Sequence, residues 1–272
     1  METRLGSIPA DCERPERLKF AWPLILLTDL FTTARHLAVA RGYFASLGWQ
    51  VYTPDLRAGA EAVRINARAS NSSAGGFADL AAALTEALTA VGNDVVVAGH
   101  GLGGLLALNA VEDPRVRAGV AMAPMLPGFR SPLVTGATTW RARLLGGTLK
   151  PPRGSVIFHL LADAEPFQRE ALTQALVADD SRAALEVVRG RINCDKSATA
   201  APRLIVVGDS DPFAPLDKAT EFAARIGATI RVVRGRGHWL IGGRALERTV
   251  AEVQRFLVRS LSSDLLLLYP QE

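Results

Sequence analysis

Residues 95–104 read Val-Val-Val-Ala-Gly-His-Gly-Leu-Gly-Gly, and this stretch decides the fold. Its first four residues form a short apolar run of the kind that fills a buried strand of a parallel sheet. Glycines recur through the rest of the stretch, where a strand that turns sharply into a helix leaves little room for Cβ atoms. We therefore predict a strand at 95–98, a tight turn, and a helix from Gly101 to Val111.

Strands and helices alternate on both sides of this stretch. Further strands are predicted at 24–27, 50–52, 118–123, 204–207 and 229–233, and helices at about 34–48, 77–91, 216–226 and 244–261. Such alternation predicts an α/β protein with a mostly parallel twisted sheet and helices on both faces. Residues 1–18 are interpreted as a loosely ordered arm or one short edge strand, and 58–76 as a long loop.

Residues 124–200 break the alternation. The segment contains several prolines and two helical stretches, near 166–177 and 181–190. It is interpreted as a cap inserted into the sheet domain. The predicted division is a core made of 1–123 and 201–272, with a cap or lid at 124–200.

Composition narrows the class of protein. The chain has 272 residues, 49% of them hydrophobic, and a net charge of +4, so it can form one large packed domain. Its basic residues are scattered, which argues against a nucleic-acid partner. The apolar runs are too short to span a membrane. Cys12 and Cys194 lie far apart and without metal-ligand spacing, which favours a reduced, cytoplasmic protein over a disulfide framework. No metal and no cofactor are expected. A small-molecule substrate is expected, and a homodimer is left open.

Two polar segments follow predicted strands late in the chain. Residues 208–215 read Gly-Asp-Ser-Asp-Pro-Phe-Ala-Pro and offer Asp211, with Asp209 as the second choice. Residues 235–239 read Gly-Arg-Gly-His-Trp and offer His238. An acid and a histidine that both follow parallel strands lie at the same edge of the sheet, where ligands bind.

Together these features resemble the α/β-hydrolase superfamily, over about residues 20–260. The stretch 99–103 resembles the nucleophile elbow G-x-S-x-G, with Gly101 in the serine position. Residues 54–59, Pro-Asp-Leu-Arg-Ala-Gly, are similar to the D-x-R-G turn of that family. The resemblance implies the α/β-hydrolase fold with an inserted helical cap. It also implies that Asp211 is the triad acid and His238 the triad histidine.

The resemblance implies an oxyanion hole as well. Its backbone donors are expected from Leu102 and from Asp29 or Leu30, where Thr28-Asp29 replaces the His-Gly of many members. An ionised Asp29 would oppose a developing negative charge unless its carboxylate points away.

Glycine at 101 excludes an acyl-enzyme at that position. We therefore expect a general base, His238 oriented by Asp211, acting without cofactor on a small organic substrate. The resemblance implies a role in secondary metabolism. The reaction is a lyase-type elimination, decarboxylation, carbon–carbon cleavage or cyclisation, or hydrolysis by an activated water. Two alternatives stay open: a non-catalytic hydrolase-like binding protein, and an esterase or thioesterase whose serine was mutated to glycine.

Four residues are candidates for contacting substrate. His100 lies beside Gly101, where family members often carry histidine. Met125, Trp140 and His159 belong to the predicted cap, and each is either a cavity residue or part of the core.

Overall fold

The computed structural model describes residues 1–60, 76–134, 148–194 and 201–266. The strands are β1 (Glu2–Leu5), β2 (Ile8–Glu13), β3 (Leu24–Leu27), β4 (Val51–Pro54), β5 (Val95–His100), β6 (Val116–Met122), β7 (Thr148–Leu149), β8 (Asp179–Asp180), β9 (Arg203–Gly208) and β10 (Thr229–Val233). The helices are α1 (Ala38–Ser46), α2 (Phe77–Val91), α3 (Gly101–Asn109), α4 (Ser155–Leu160), α5 (Pro166–Gln174), α6 (Ser181–Val188), α7 (Leu216–Ile226) and α8 (Leu246–Leu265).

Eight strands form one sheet, in the order β1-β2-β4-β3-β5-β6-β9-β10. From β4 to β10 the neighbours pair in parallel, which confirms the predicted mostly parallel α/β sheet. The amino-terminal segment contributes two strands, a hairpin of β1 and β2 that joins the edge antiparallel. Side chains of β2 alternate between buried and half-buried, the pattern of a strand that covers a core with one face.

The central strands are buried along their whole length. Every residue of β3, β5 and β9 is buried, because helices cover both faces of the sheet. Access to these strands is therefore limited to their ends. The loops after β3, β5, β9 and β10 all leave from the carboxyl edge.

The predicted turn after β5 is present. Gly101 has φ +52, a backbone conformation that side chains with a Cβ rarely adopt. A Cβ at Gly99 would overlap the backbone of Gly103, since β5 and α3 pack closely at this point. The glycine pattern of 95–104 thus predicts both the turn and the close packing.

Two predicted elements differ in detail. The segment predicted as one helix at 34–48 is a 3-10 turn, Ala34–Leu37, followed by α1. The last helix is longer than predicted and ends at Leu265. Within the predicted loop 58–76, residues 58–60 belong to a helical turn at 56–60, and 61–75 lie outside the described residues.

Between β6 and β9, the described residues contain α4, α5, α6 and the two-stranded sheet of β7 and β8. This inserted segment is tied to two loops of the sheet. Asp179 accepts a hydrogen bond from the backbone N–H of Phe31 at 2.9 Å, and Asp163 accepts one from Gly237 at 2.6 Å. Among the described residues, no helix is long and apolar enough to cross a membrane.

Candidate active site

Four loops at the carboxyl edge bring the candidate residues together. Asp29 follows β3, His100 ends β5, Asp211 follows β9 and His238 follows β10. All four side chains are buried. The order of elements predicted from the sequence therefore places these groups in one cluster.

The predicted acid and histidine are in contact. His238 Nδ1 lies 2.8 Å from Asp211 Oδ2, and Asp211 Oδ1 accepts a hydrogen bond from the backbone N–H of Phe213 at 2.8 Å. The Phe213 ring packs edge-on against the imidazole, with centroids 5.1 Å apart. These contacts fix the orientation of the His238 ring and direct its Nε2 toward Asp29.

Asp29 lies at the centre of the cluster. Its Oδ1 accepts hydrogen bonds from the backbone N–H groups of Leu30 (2.7 Å) and Leu102 (2.8 Å). These are two of the donors expected to form the oxyanion hole. The third candidate donor, the backbone N–H of Asp29, instead donates to Thr32 Oγ1 at 2.9 Å.

The Asp29 carboxylate therefore points into the hole and not away from it. Its Oδ2 lies 3.2 Å from His238 Nε2 and 3.4 Å from His100 Nδ1. The two backbone N–H groups that were expected to hold a substrate oxyanion thus already donate to the Asp29 carboxylate.

Glycine at 101 makes this arrangement possible. A Cβ built on Gly101 would overlap the Asp29 carboxylate, both oxygens and the carbon between them. The space beside the elbow, expected from the sequence to be left by a missing serine, is taken by Asp29. Gly101 and Asp29 are thus sterically matched.

The cluster shifts the pKa values of its members in opposite directions. Burial alone would raise the pKa of Asp29, but the two imidazoles beside its carboxylate, those of His100 and His238, outweigh burial and hold that pKa far below its ordinary range. Burial alone would lower the pKa of His238, but the Asp211 and Asp29 carboxylates outweigh it and raise that pKa to about 10. At neutral pH the pair is an imidazolium beside a carboxylate.

His100 belongs to the cluster as well. Its ring is fully buried, and its Nε2 lies 2.8 Å from the backbone oxygen of His238. Since a carbonyl oxygen only accepts, Nε2 carries the proton. The other nitrogen, Nδ1, faces Asp29 and makes no hydrogen bond with any residue that the structure describes.

The other predicted substrate contacts are less central. Met125 is buried next to the elbow, and its backbone N–H donates to the carbonyl of Gly101 at 3.0 Å. His159 lies on α4 with its side chain exposed, packed edge-on against Phe158, so the structure does not bring it to the cluster. Trp140 lies outside the described residues. Asp209, the second choice for the acid, is exposed and accepts from the backbone of Gly235.

Comparison with known proteins identifies the family and the fold. The sequence model of the alpha/beta hydrolase family matches residues 20–252, and the chain belongs to this family. No curated protein matches its sequence.

Solved structures give the same fold. The chain is similar to a monoacylglycerol lipase from Paleococcus ferrophilus, with 17% identity, a TM-score of 0.69, and coverage of 93% of this chain and 99% of that one. It is similar to a soluble variant of monoglyceride lipase from Saccharomyces cerevisiae solved with a substrate analog (12% identity, TM-score 0.67, coverage 96% and 94%). A thermophilic esterase from Thermogutta terrifontis matches at 16% identity, with a TM-score of 0.66 and coverage of 96% and 99%.

Proposed function

We propose that this chain is a hydrolase that works without a serine nucleophile and attacks a small organic substrate with an activated water molecule. Its working groups are Asp29, His238 and Asp211. The observation that carries the proposal is the position of Asp29, whose carboxylate takes the space beside Gly101 and faces the histidine. Membership in the alpha/beta hydrolase family, and the lipases and esterases of the same fold, favour hydrolysis over elimination, decarboxylation or cyclisation.

Water is a better candidate nucleophile than Asp29 itself. Oδ1 of Asp29 is held by two backbone N–H groups, and Oδ2 lies between two imidazole rings. The contacts that lower the pKa of this carboxyl stabilise the ionised form, and they weaken it as a nucleophile in the same measure. A water that entered between Asp29 Oδ2 and His238 Nε2, which lie 3.2 Å apart, would donate to the carboxylate and accept from the imidazolium.

His238 acts in this proposal as an acid. With its pKa raised to about 10, the ring holds its second proton at neutral pH and cannot accept another. The sequence-based expectation of a general base is therefore revised. A protonated imidazole beside an ionised carboxylate, with pKa values driven apart, is an arrangement suited to protonating a leaving group.

A non-catalytic binding protein is the second candidate. The filled oxyanion hole and the burial of Asp29 and His238, each 1% exposed, favour it. A serine mutated to glycine is disfavoured, because a residue with a Cβ at 101 would overlap Asp29 in its present position.

A panel of short-chain esters, thioesters, lactones and amides tests the proposal. We expect turnover by the natural chain, and a loss of roughly 100-fold or more in kcat/KM for Asp29→Asn and for His238→Gln. His36→Gln is the matched control, since His36 is buried but bonds to Thr33 and Leu172 instead of the cluster. A fluorophosphonate probe for activated serines should leave the protein unlabelled.

Two results would overturn the proposal. If no substrate is hydrolysed faster with the protein than in buffer alone, the chain is better described as a non-catalytic binding protein. Turnover that is unchanged in both variants would place the chemistry outside this cluster.

A further inference from the structure

The proposed chemistry leaves open what activates the attacking water. Three buried side chains, those of Asp29, His100 and His238, converge at the site, and each offers one ligand atom.

We infer that Asp29, His100 and His238 form a binding site for one divalent metal ion, with Zn²⁺ the best fit. The inference rests on the proposed function for its chemistry, and it deepens it by naming what activates the water. The three ligand atoms, Asp29 Oδ2, His100 Nδ1 and His238 Nε2, all lie within 4.8 Å of one another.

The distances match a tetrahedral edge. Zinc bonds of about 2.0–2.1 Å to imidazole nitrogen and carboxylate oxygen place neighbouring ligand atoms about 3.3 Å apart. Asp29 Oδ2 lies 3.2 Å from His238 Nε2 and 3.4 Å from His100 Nδ1. The third pair of ligand atoms, His100 Nδ1 and His238 Nε2, lies within 4.8 Å.

An unpaired buried nitrogen supports the site independently. His100 Nδ1 is fully buried, points at Asp29, and makes no hydrogen bond with any described residue. With Nε2 bonded to a carbonyl oxygen, the contact of Nδ1 with the Asp29 carboxylate is favourable only if a cation lies between the two atoms, either a metal ion or a second proton on the ring.

Each ligand side chain is also held in place by contacts of its other polar atom, the one that does not face the site. His238 contacts Asp211 through its other nitrogen, and His100 donates through its other nitrogen to the backbone oxygen of His238. The second oxygen of Asp29 accepts two backbone N–H groups. Such outer hydrogen bonds hold metal-ligating histidines and carboxylates in place.

The types of ligand atom favour zinc. The two imidazoles and one carboxylate suit Zn²⁺ better than Ca²⁺ or Mg²⁺, which prefer oxygen ligands.

The metal-loaded cluster completes the hydrolytic step. A water bound to Zn²⁺ has a pKa of about 7, so hydroxide is available at neutral pH. The water oxygen bonds to the acyl carbon, the bond from acyl carbon to leaving group breaks, and the water proton passes to the leaving group. In this state His238 is a ligand and no longer the acid.

In a rival arrangement, His100 carries a second proton and no metal ion binds. Calorimetric titration of the chelator-stripped, desalted protein with ZnCl₂ distinguishes this arrangement from the metal site. We expect one Zn²⁺ per chain, and at least 100-fold weaker binding for His100→Ala. Asp211→Asn should weaken binding by about 10- to 100-fold, the usual effect of removing a carboxylate behind a histidine ligand.

The other two histidines supply matched controls. His36→Ala, buried away from the cluster, and His159→Ala, exposed on α4, should both bind Zn²⁺ like the natural chain. Circular dichroism checks that each variant is folded, and Co²⁺ absorption in the visible range reports tetrahedral ligation directly. Absence of binding, or binding that is lost in His159→Ala and kept in His100→Ala, would overturn the inference.

Activity of the stripped protein separates this inference from the proposed function. Hydrolysis that persists without metal and fails in His238→Gln would leave the acid role of His238 standing and remove the metal. Zinc binding through His100 without turnover of any substrate would leave the metal site standing and remove the hydrolase.

Discussion

The carboxylate of Asp29 occupies the volume that a side chain at residue 101 would need, so glycine at 101 and aspartate at 29 depend on each other. The same carboxylate accepts the backbone N–H groups of Leu30 and Leu102. In this chain, a carboxylate from the loop after β3 therefore fills the space beside Gly101 and accepts both of these N–H groups.

Gly101→Ser is expected to destabilise the protein without creating an esterase. The new side chain meets Asp29, and it also forces a residue with a Cβ to adopt φ +52. We expect a loss of about 2–4 kcal/mol in the free energy of unfolding, from overpacking and backbone strain together. Urea unfolding followed by circular dichroism measures it.

Gly92→Ser is the matched control for that substitution. Gly92 has φ +72, but a Cβ there would have no neighbour within 4 Å, so only the backbone strain remains, about 1–2 kcal/mol. The double variant Asp29→Gly with Gly101→Ser should recover part of the loss, which a double-mutant cycle measures. Equal losses at 92 and 101, with no coupling to Asp29, would show that the two residues are not matched.

Removing the Asp29 side chain should create an anion site. In Asp29→Ala the N–H groups of Leu30 and Leu102 lose their acceptor, and the nearby imidazolium of His238 keeps its positive charge. Formate should then bind and raise the melting temperature of this variant in the millimolar range. Asp29→Asn, whose amide oxygen still accepts, is the control. An equal rise in the melting temperature of the natural chain with formate would show that Asp29 does not occupy the N–H groups of Leu30 and Leu102.

The stability of the metal-free protein should fall as pH rises from about 6.5 toward 10. Between the ordinary pKa of His238 and its raised value of about 10, the folded state holds a proton that the unfolded state has released. The unfolding free energy therefore falls with rising pH, by roughly 1.4 kcal/mol per pH unit for one proton. The groups facing this ring are Asp29, Asp211, His100 and the Phe213 ring.

His238→Gln should flatten that alkaline slope. His36→Gln should not, because burial first of all lowers the pKa of His36, so its effect on stability lies at acidic pH. Folded-state stability that stays constant from pH 6.5 to 10 in the metal-free natural chain would mean that His238 is neutral.

Asp211→Asn should lower kcat by about 10²- to 10⁴-fold, since an acid that orients a catalytic histidine has effects of this size. The histidine also loses one of the two carboxylates that raise its pKa, so an NMR titration should find that pKa below the natural value. Asp163→Asn is the control: this buried acid accepts from the Gly237 backbone beside His238 but does not contact the ring. A similar loss of kcat in both variants would assign Asp211 a merely structural role.

Much of the fold follows from short-range patterns. The apolar run 95–98 and the glycines after it predict β5, the turn and α3, because close packing of strand and helix excludes Cβ atoms. Asp211 and His238 are predictable as site residues, because each directly follows a parallel strand. The hairpin of β1 and β2 is harder to predict from the sequence, because β2 pairs with β4, which lies far away along the chain.

The side-chain orientations of Asp29 and His100 depend on tertiary structure and do not follow from the sequence. The sequence places Asp29 near the oxyanion hole, but its side-chain direction depends on the turn at Phe31, with φ +64, and on the space above Gly101. The role of His100 depends on which way its ring turns. The sequence holds one signal for this contact, the combination of glycine at 101 with aspartate at 29. It becomes informative only once β3 and β5 are known to be neighbours in the sheet, because that pairing brings the two residues together.

Single-turnover hydrolysis in ¹⁸O-labelled water tests most directly whether water, and no side chain, is the nucleophile. The substrate is the ester turned over best in the panel, with protein in excess, and both the product acid and the peptide that contains Asp29 are weighed by mass spectrometry. We predict one ¹⁸O in the product acid, none in the protein, and no acylated protein in samples quenched at any time during the turnover. An ¹⁸O in the Asp29 carboxylate, or an acyl group retained on the chain, would contradict direct attack by water.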